Sequence, residues 1–239
     1  MSDWLQIGLI TLLAGLAMPA GAALASAERI RPRWLENEFR HGVIAFGGGA
    51  LLAAVALVLV PEGVRGLSTV TVSVCFAAGA LAFMALDRAL ARNGTPVGQL
   101  VAMLADFVPE ALALGATFVT SRSAGMVLAA IIALQNVPEG FNAYRELSRA
   151  THYGSAKLIG AFTLMALLGP VFGIAGYFLL SSQPAIVSGI MLFAAGGILY
   201  LIFQDIAPQV RLQNHWAPPL GAVAGFLAGL VGHLLVHGG

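Results

Sequence analysis

Eleven acidic residues occur in this chain of 239, and three of them stand where an acid is costly. Asp106, Glu110 and Glu139 fall inside two apolar stretches whose interiors hold no Lys or Arg. An ionised carboxylate at membrane depth costs at least about 2.5–3.5 kcal/mol on insertion scales. Three of them close together would also repel, so a proton or a bound cation must compensate. Hard and borderline divalent cations take carboxylate oxygens as ligands. Asp106 and Glu110 are i,i+4 and share one helical face, and Gln135 and Glu139 repeat that spacing in the next helix. A tight turn at 121–123 makes the two helices antiparallel neighbours, so their polar faces converge. Three carboxylates and one amide oxygen can make a roughly tetrahedral metal site. Pro109 and Pro138 leave the carbonyls of Ala105 and Leu134 without their helical donors, and a kink there opens room for water or an ion. The plainer reading is that the prolines only kink packed helices and that the acids are protonated and hydrogen-bonded.

The remaining candidates are weaker. Asp3, Glu28, Glu36, Glu38 and Glu146 belong to helix ends and loops. Asp87 stands beside Arg88 at a helix end, where it pairs or snorkels. Glu62 and Gln209 could line a vestibule, and Gln204 with Asp205 could form an exit-side stop. His233 and His237 are i,i+4 near the end of the last apolar stretch, which suits metal capture or, more plainly, interfacial histidines. His41 and His215 fit helix-dipole compensation. Cys75, the one cysteine, reads as a small buried hydrophobe and excludes an internal disulfide and a Cys-based zinc site.

The elements that must position these residues follow from composition. Hydrophobic residues make up 59% of the chain, charged residues only 10%, and mean hydropathy is +0.88. Soluble domains carry about 25% charged residues. This chain therefore needs lipid as its solvent, and it reads as an all-α, polytopic membrane protein. Spanning helices take about 20 apolar residues. Eight stretches qualify: 5–27, 42–61, 69–90, 97–120, 124–144, 158–180, 185–206 and 216–237. The first has no basic residue before it and is longer than a signal sequence, so it is kept as a span. No loop is long enough for a soluble domain, so residues 1–239 form one transmembrane domain. Ten of the twelve Lys and Arg residues fall on one side of this arrangement, with only Arg65 and Arg122 on the other. The positive-inside rule then puts both termini outside the cytoplasm. Scattered basic loops without interleaved aromatics give no nucleic-acid surface. No His-Glu-x-x-His, no Gly-x-Gly-Asp and no Ser/His pair lies within the spans, so the chain is not expected to be an enzyme.

A short motif recurs. Val60-Pro61-Glu62-Gly63 closes the second span, Val108-Pro109-Glu110-Ala111 lies in the fourth, and Val137-Pro138-Glu139-Gly140 lies in the fifth. Ala207-Pro208-Gln209 is a weaker echo after the seventh. Internal repeats of this sort are common in transporters.

At these motifs the chain resembles the ZIP (zinc/iron-regulated-transporter-like) family of divalent metal transporters. The best match is Gln135-Asn136-Val137-Pro138-Glu139-Gly140, beside a fourth-span motif that resembles His-Asn-x-Pro-Glu-Gly. Leu59-Val60-Pro61-Glu62 and Phe193-Ala194-Ala195-Gly196-Gly197 extend the likeness along the chain. The resemblance implies eight spans with extracytoplasmic termini, a two-metal-capable site, a substrate such as zinc, and movement of metal towards the cytoplasm. It also implies a homodimer and an elevator-like motion of one helix bundle against another. Asp106 stands where the family usually has His, Phe107 where it has Asn, and Gly169 where relatives often have Glu before the proline equivalent to Pro170. The expectation is therefore one bound metal at Asp106, Glu110, Gln135 and Glu139, with Asn136 left as the remnant of a second position. Zinc is placed first, and the oxygen-rich ligand set also admits manganese, iron or cadmium. No long metal-sensing loop follows the third span, only a few residues around Asn93-Gly94. The expected location is a bacterial inner (plasma) membrane. The alternative is a ZIP-fold membrane protein with an altered substrate or no transport.

Overall fold

The computed structural model describes residues 2–28, 33–93, 97–210 and 217–237, and every regular element among them is helical. In chain order these are α1 (Asp3–Ala27), α2 (Arg33–Ala54), α3 (Thr69–Asn93), α4 (Val97–Thr120), α5 (Arg122–Ala150), α6 (Ser155–Ala166), α7 (Leu168–Leu180), α8 (Pro184–Leu201) and α9 (Ala217–His237). Among the described residues, seven helical stretches are long and apolar enough to cross a membrane. Their outward faces stay apolar: Leu235 is 77% exposed and Val70 73%, which only a lipid surround makes cheap. The chain is a multi-pass, all-helical membrane protein. α4 has the length of a span at 24 residues but is not one of the seven.

Several boundaries differ from those expected. α2 begins at Arg33, so part of the stretch expected to link the first two spans is helical, and the α5 helix continues to Ala150, past the expected end of the fifth span at 144. Both extensions are polar turns that carry a helix beyond its apolar stretch. The sixth span is two helices broken at Leu167. Pro170 has no N–H for the carbonyl of Ala166, and the Leu167 N–H turns back to Leu164 instead. Arg29, Arg31, Gly94, Arg211, His215, Trp216 and the His237 side chain lie outside the described residues.

Two helices widen before a proline. After α2 a π-turn spans Val55–Leu59 and a last α-turn spans Val60–Gly63; after α8 the same order appears as Ile202–Ile206 and Ala207–Gln209. The Val60 N–H bonds the carbonyl of Val55, and the Ala207 N–H that of Ile202, so each helix takes up an extra residue just before Pro61 or Pro208.

Glycines choose the helix partners. α1 lies along α5, α2 along α9, α3 along α8 and α4 along α7. At each seam a glycine from either helix lies against a backbone carbonyl of the other, so that an added Cβ would overlap it. The carbonyls are those of Val137 and Met18 for Gly21 and Gly140, of Ala222 and Phe46 for Gly49 and Gly225, of Phe193 and Phe76 for Gly79 and Gly196, and of Gly173 and Leu112 for Gly115 and Gly176. Each carbonyl belongs to the residue three places before the partner glycine. Small residues give membrane helices this close approach, and van der Waals contact then holds them. The α1–α5 seam is pinned at both ends: Arg122 donates to Asp3 (2.9 Å) and Gln6 (2.8 Å), and Arg145 pairs with Glu28. Those two helices therefore run parallel.

α1, α4, α5, α6 and α7 make one group, and α2, α3, α8 and α9 supply the two remaining seams. The groups meet where α2 crosses α5 and α8 crosses α4. Asp106 and Glu139 line a cavity at this junction, with Ile44 and Leu51 of α2 and Leu201 of α8.

Candidate metal centre

Ser121 sets the geometry of the α4–α5 hairpin. Its N–H bonds the Thr117 carbonyl to end α4, and its side chain accepts from the Ala124 N–H to start α5. The antiparallel helices then bring two layers of polar side chains together. In the inner layer Gln135 Nε2 donates to both Glu110 oxygens, at 2.8 and 2.9 Å. Both residues are buried, Glu110 completely. One turn away on each helix, Asp106 and Glu139 form the outer layer and line a cavity of about 320 Å³. Glu110 and Glu139 both lie within electrostatic reach of Asp106, and Glu110 within reach of Glu139.

Some polar capacity is unused. Asp106 Oδ1 and Gln135 Oε1 are buried with no hydrogen-bond partner among the described residues. Both oxygens are acceptors, so each can take a further donor or a cation. Among the described residues, however, no three His, Cys, Asp or Glu side chains stand close enough together to hold a metal. The Gln135 amide occupies the carboxylate that a cation would need.

Asn136 is not drawn into this group. Its Nδ2 donates to the Ala14 carbonyl at 2.9 Å, which fastens α5 to α1. Phe107 turns towards the α1–α7 side, where an added Cβ at Gly15 or at Gly169 would stand 2.9 Å from its ring tip. Phe107 and Gly169 are thus complementary: the ring fills the space that the missing side chain leaves.

The cavity brings in residues from other helices. Asp87 of α3, Asn142 of α5, and Asp205 and Gln209 beyond α8 line it with Asp106 and Glu139. Asp87 was expected only to pair or snorkel at a helix end. Instead it accepts from the Tyr200 hydroxyl at 3.2 Å and lines the cavity wall. Asn142 was not anticipated, although its i,i+3 position after Glu139 puts it on the same face. It donates to Glu146 at 3.0 Å. Gln209 and Asp205 line the cavity as a vestibule or stop would require, whereas Glu62 pairs with Arg65 at 2.8 Å, beyond the opposite end of α2. No protein-family profile matches the chain, and no curated protein matches it in sequence.

Proposed function

We propose that this chain is a transporter of divalent metal ions, a divergent relative of the ZIP family. In this reading eight spans form one domain with both termini outside the cytoplasm, in a bacterial inner membrane and as a homodimer. Metal passes towards the cytoplasm between α4 and α5. The observation that carries the reading is the pair of polar layers, Glu110 with Gln135 and Asp106 with Glu139, in two helices whose apolar interiors hold no Lys or Arg and beside an acid-lined cavity. The cation supplies the missing positive charge. For it to bind, the Gln135 amide turns over, so that its unpartnered Oε1 replaces Nε2 beside Glu110 and Asp106 Oδ1 gains a partner. Asn136 keeps to the α1 seam, and Phe107 occupies the region that a second metal would need, so one ion binds at a time. Zinc is the first substrate to test; manganese, iron and cadmium follow.

The absence of a ready-made three-ligand group among the described residues favours a second reading, a related fold with another substrate or none. Uptake by purified protein in proteoliposomes separates the two. The transporter reading expects accumulation of at least one of Zn, Mn, Fe and Cd, lost in Glu139→Ala. No uptake of any of the four by the wild type, or unchanged uptake in Glu139→Ala, refutes it. Two strong adjacent peaks in an anomalous-scattering map would refute the single-ion part.

A further inference from the structure

α2–α3 and α8–α9 share one register. Gly49, the π-turn from Val55 and Pro61 recur as Gly196, the π-turn from Ile202 and Pro208, a shift of 147 residues (Gly49 to Gly196, Pro61 to Pro208). The partner helices follow with a shift of 146 residues (Gly79 to Gly225). The seams agree in detail: the space above Gly196 is closed by Phe76 and Ala80, and that above Gly49 by the corresponding Ala222 and Phe226. α3 follows α2 through a short turn and lies parallel to α8, since Cys75 sits by Gly189 and Asp87 meets Tyr200. The two units are therefore inverted relative to each other.

Equivalent ends are built differently. Asp87 and Gln209 line the open cavity at one end. In the same register Gln209 corresponds to Glu62 and Asp87 to His233. At that other end the last turn of α2 is shut against α8. An added Cβ at Gly63 would stand 2.8 Å from Leu192 Cγ, and Ser188 Oγ donates to the Arg65 carbonyl at 3.3 Å. One sequence pattern thus carries an open arrangement at one end and a closed one at the other, which is what a bistable element needs.

We infer that Glu62 and His233 are the outer contacts of the transported divalent cation, lining an outer cavity when the two inverted units exchange arrangements. This rests on the proposed cation transport. Glu62 leaves Arg65 for the cation, and the imidazole of His233 supplies a nitrogen ligand that the cavity on the opposite side lacks among its lining residues. An imidazole–carboxylate pair suits zinc and its neighbours.

Thiol labelling tests this without relying on the native metal site. In a Cys75→Ala background, Glu62→Cys and His233→Cys are made singly and together in intact cells and treated with a membrane-impermeant maleimide, with and without Cd²⁺. Both positions should label from outside. Cd²⁺ should protect the pair at a concentration at least about tenfold below that needed for either single variant, because two thiols in one cavity chelate. Asp87→Cys and Gln209→Cys should label only in inside-out vesicles. Labelling of neither outer cysteine, or equal Cd²⁺ protection of pair and singles, overturns the inference. If the pair does not reach the membrane, outside labelling of the singles decides: none refutes it. A wild type that takes up no metal removes the proposed function, whereas normal uptake with no Cd²⁺ bridging removes only the outer site.

Discussion

Pro followed by an acid or its amide occurs in four helices, and the four divide into two kinds. In α4 and α5 the proline lies within a continuous α-helix, and the carboxylate after it points into protein. In α2 and α8 a π-turn precedes the proline, and the residue after it, Glu62 or Gln209, sits on the final turn. A proline removes the same hydrogen bond in all four places. Where the chain can widen, the backbone absorbs the loss. In α4 and α5, held between α1, α7 and the junction with α2 and α8, the helix stays regular and the side chains carry the polarity. The motif alone does not make a site; its depth and its neighbours do.

That contrast can be broken in stages. The largest effect is expected from the buried carboxylates. Glu110→Ala or Glu139→Ala should lower metal uptake by roughly 100-fold, the upper range for losing support of a metal site. Similar losses in Gln209→Ala would erase the distinction. Next comes pH. Each carboxylate must shed its proton to ligate, so affinity should rise from pH 5 to pH 8 by about tenfold per unit for each proton displaced. Equilibrium metal titrations measure this, and a flat profile would contradict a carboxylate site.

Stability effects are smaller. Gln135→Ala leaves Glu110 buried without its donor and should cost roughly 1–3 kcal/mol. Thermal unfolding in detergent reads it, and an unchanged Tm would show that Glu110 is held otherwise. Gly115→Ala drives a methyl into the Gly173 carbonyl and should cost about 1–3 kcal/mol, whereas Gly160→Ala meets nothing within 4 Å and should be neutral. Pro61→Ala and Pro208→Ala should stay within about 1 kcal/mol, because the π-turns already accommodate the missing bonds. A larger loss there than at Gly115 would reverse the comparison.

Much of this arrangement was legible in the sequence, because lipid imposes length and polarity rules that single residues obey. The tight turn at 121–123 set the polar faces of α4 and α5 together, with Gln135 on Glu110, and the membrane class followed from composition. Helix partners were not legible. In a lipid surround, apolar residues line both packed and exposed faces, so periodicity does not say which face meets protein. Glycines decide it, and only the facing carbonyls reveal which ones matter. The break at Leu167 was not legible from Pro170 alone, since Pro109 and Pro138 leave their helices continuous. Asp87 was missed because its role depends on α8, more than a hundred residues later, supplying Tyr200.

The fastening of α1 to α5 has a consequence for synthesis. The contacts Asp3–Arg122, Ala14–Asn136 and Glu28–Arg145 join residues 117 to 122 apart. At about 5–20 residues per second, the first helix waits on the order of ten seconds before its partners leave the ribosome. During that time Glu28 lacks Arg145 and the Ala14 carbonyl lacks the Asn136 side chain. The apolar length of the helix must hold it in the bilayer alone. Weakening that segment would be felt first as failed insertion, before any effect on a finished molecule.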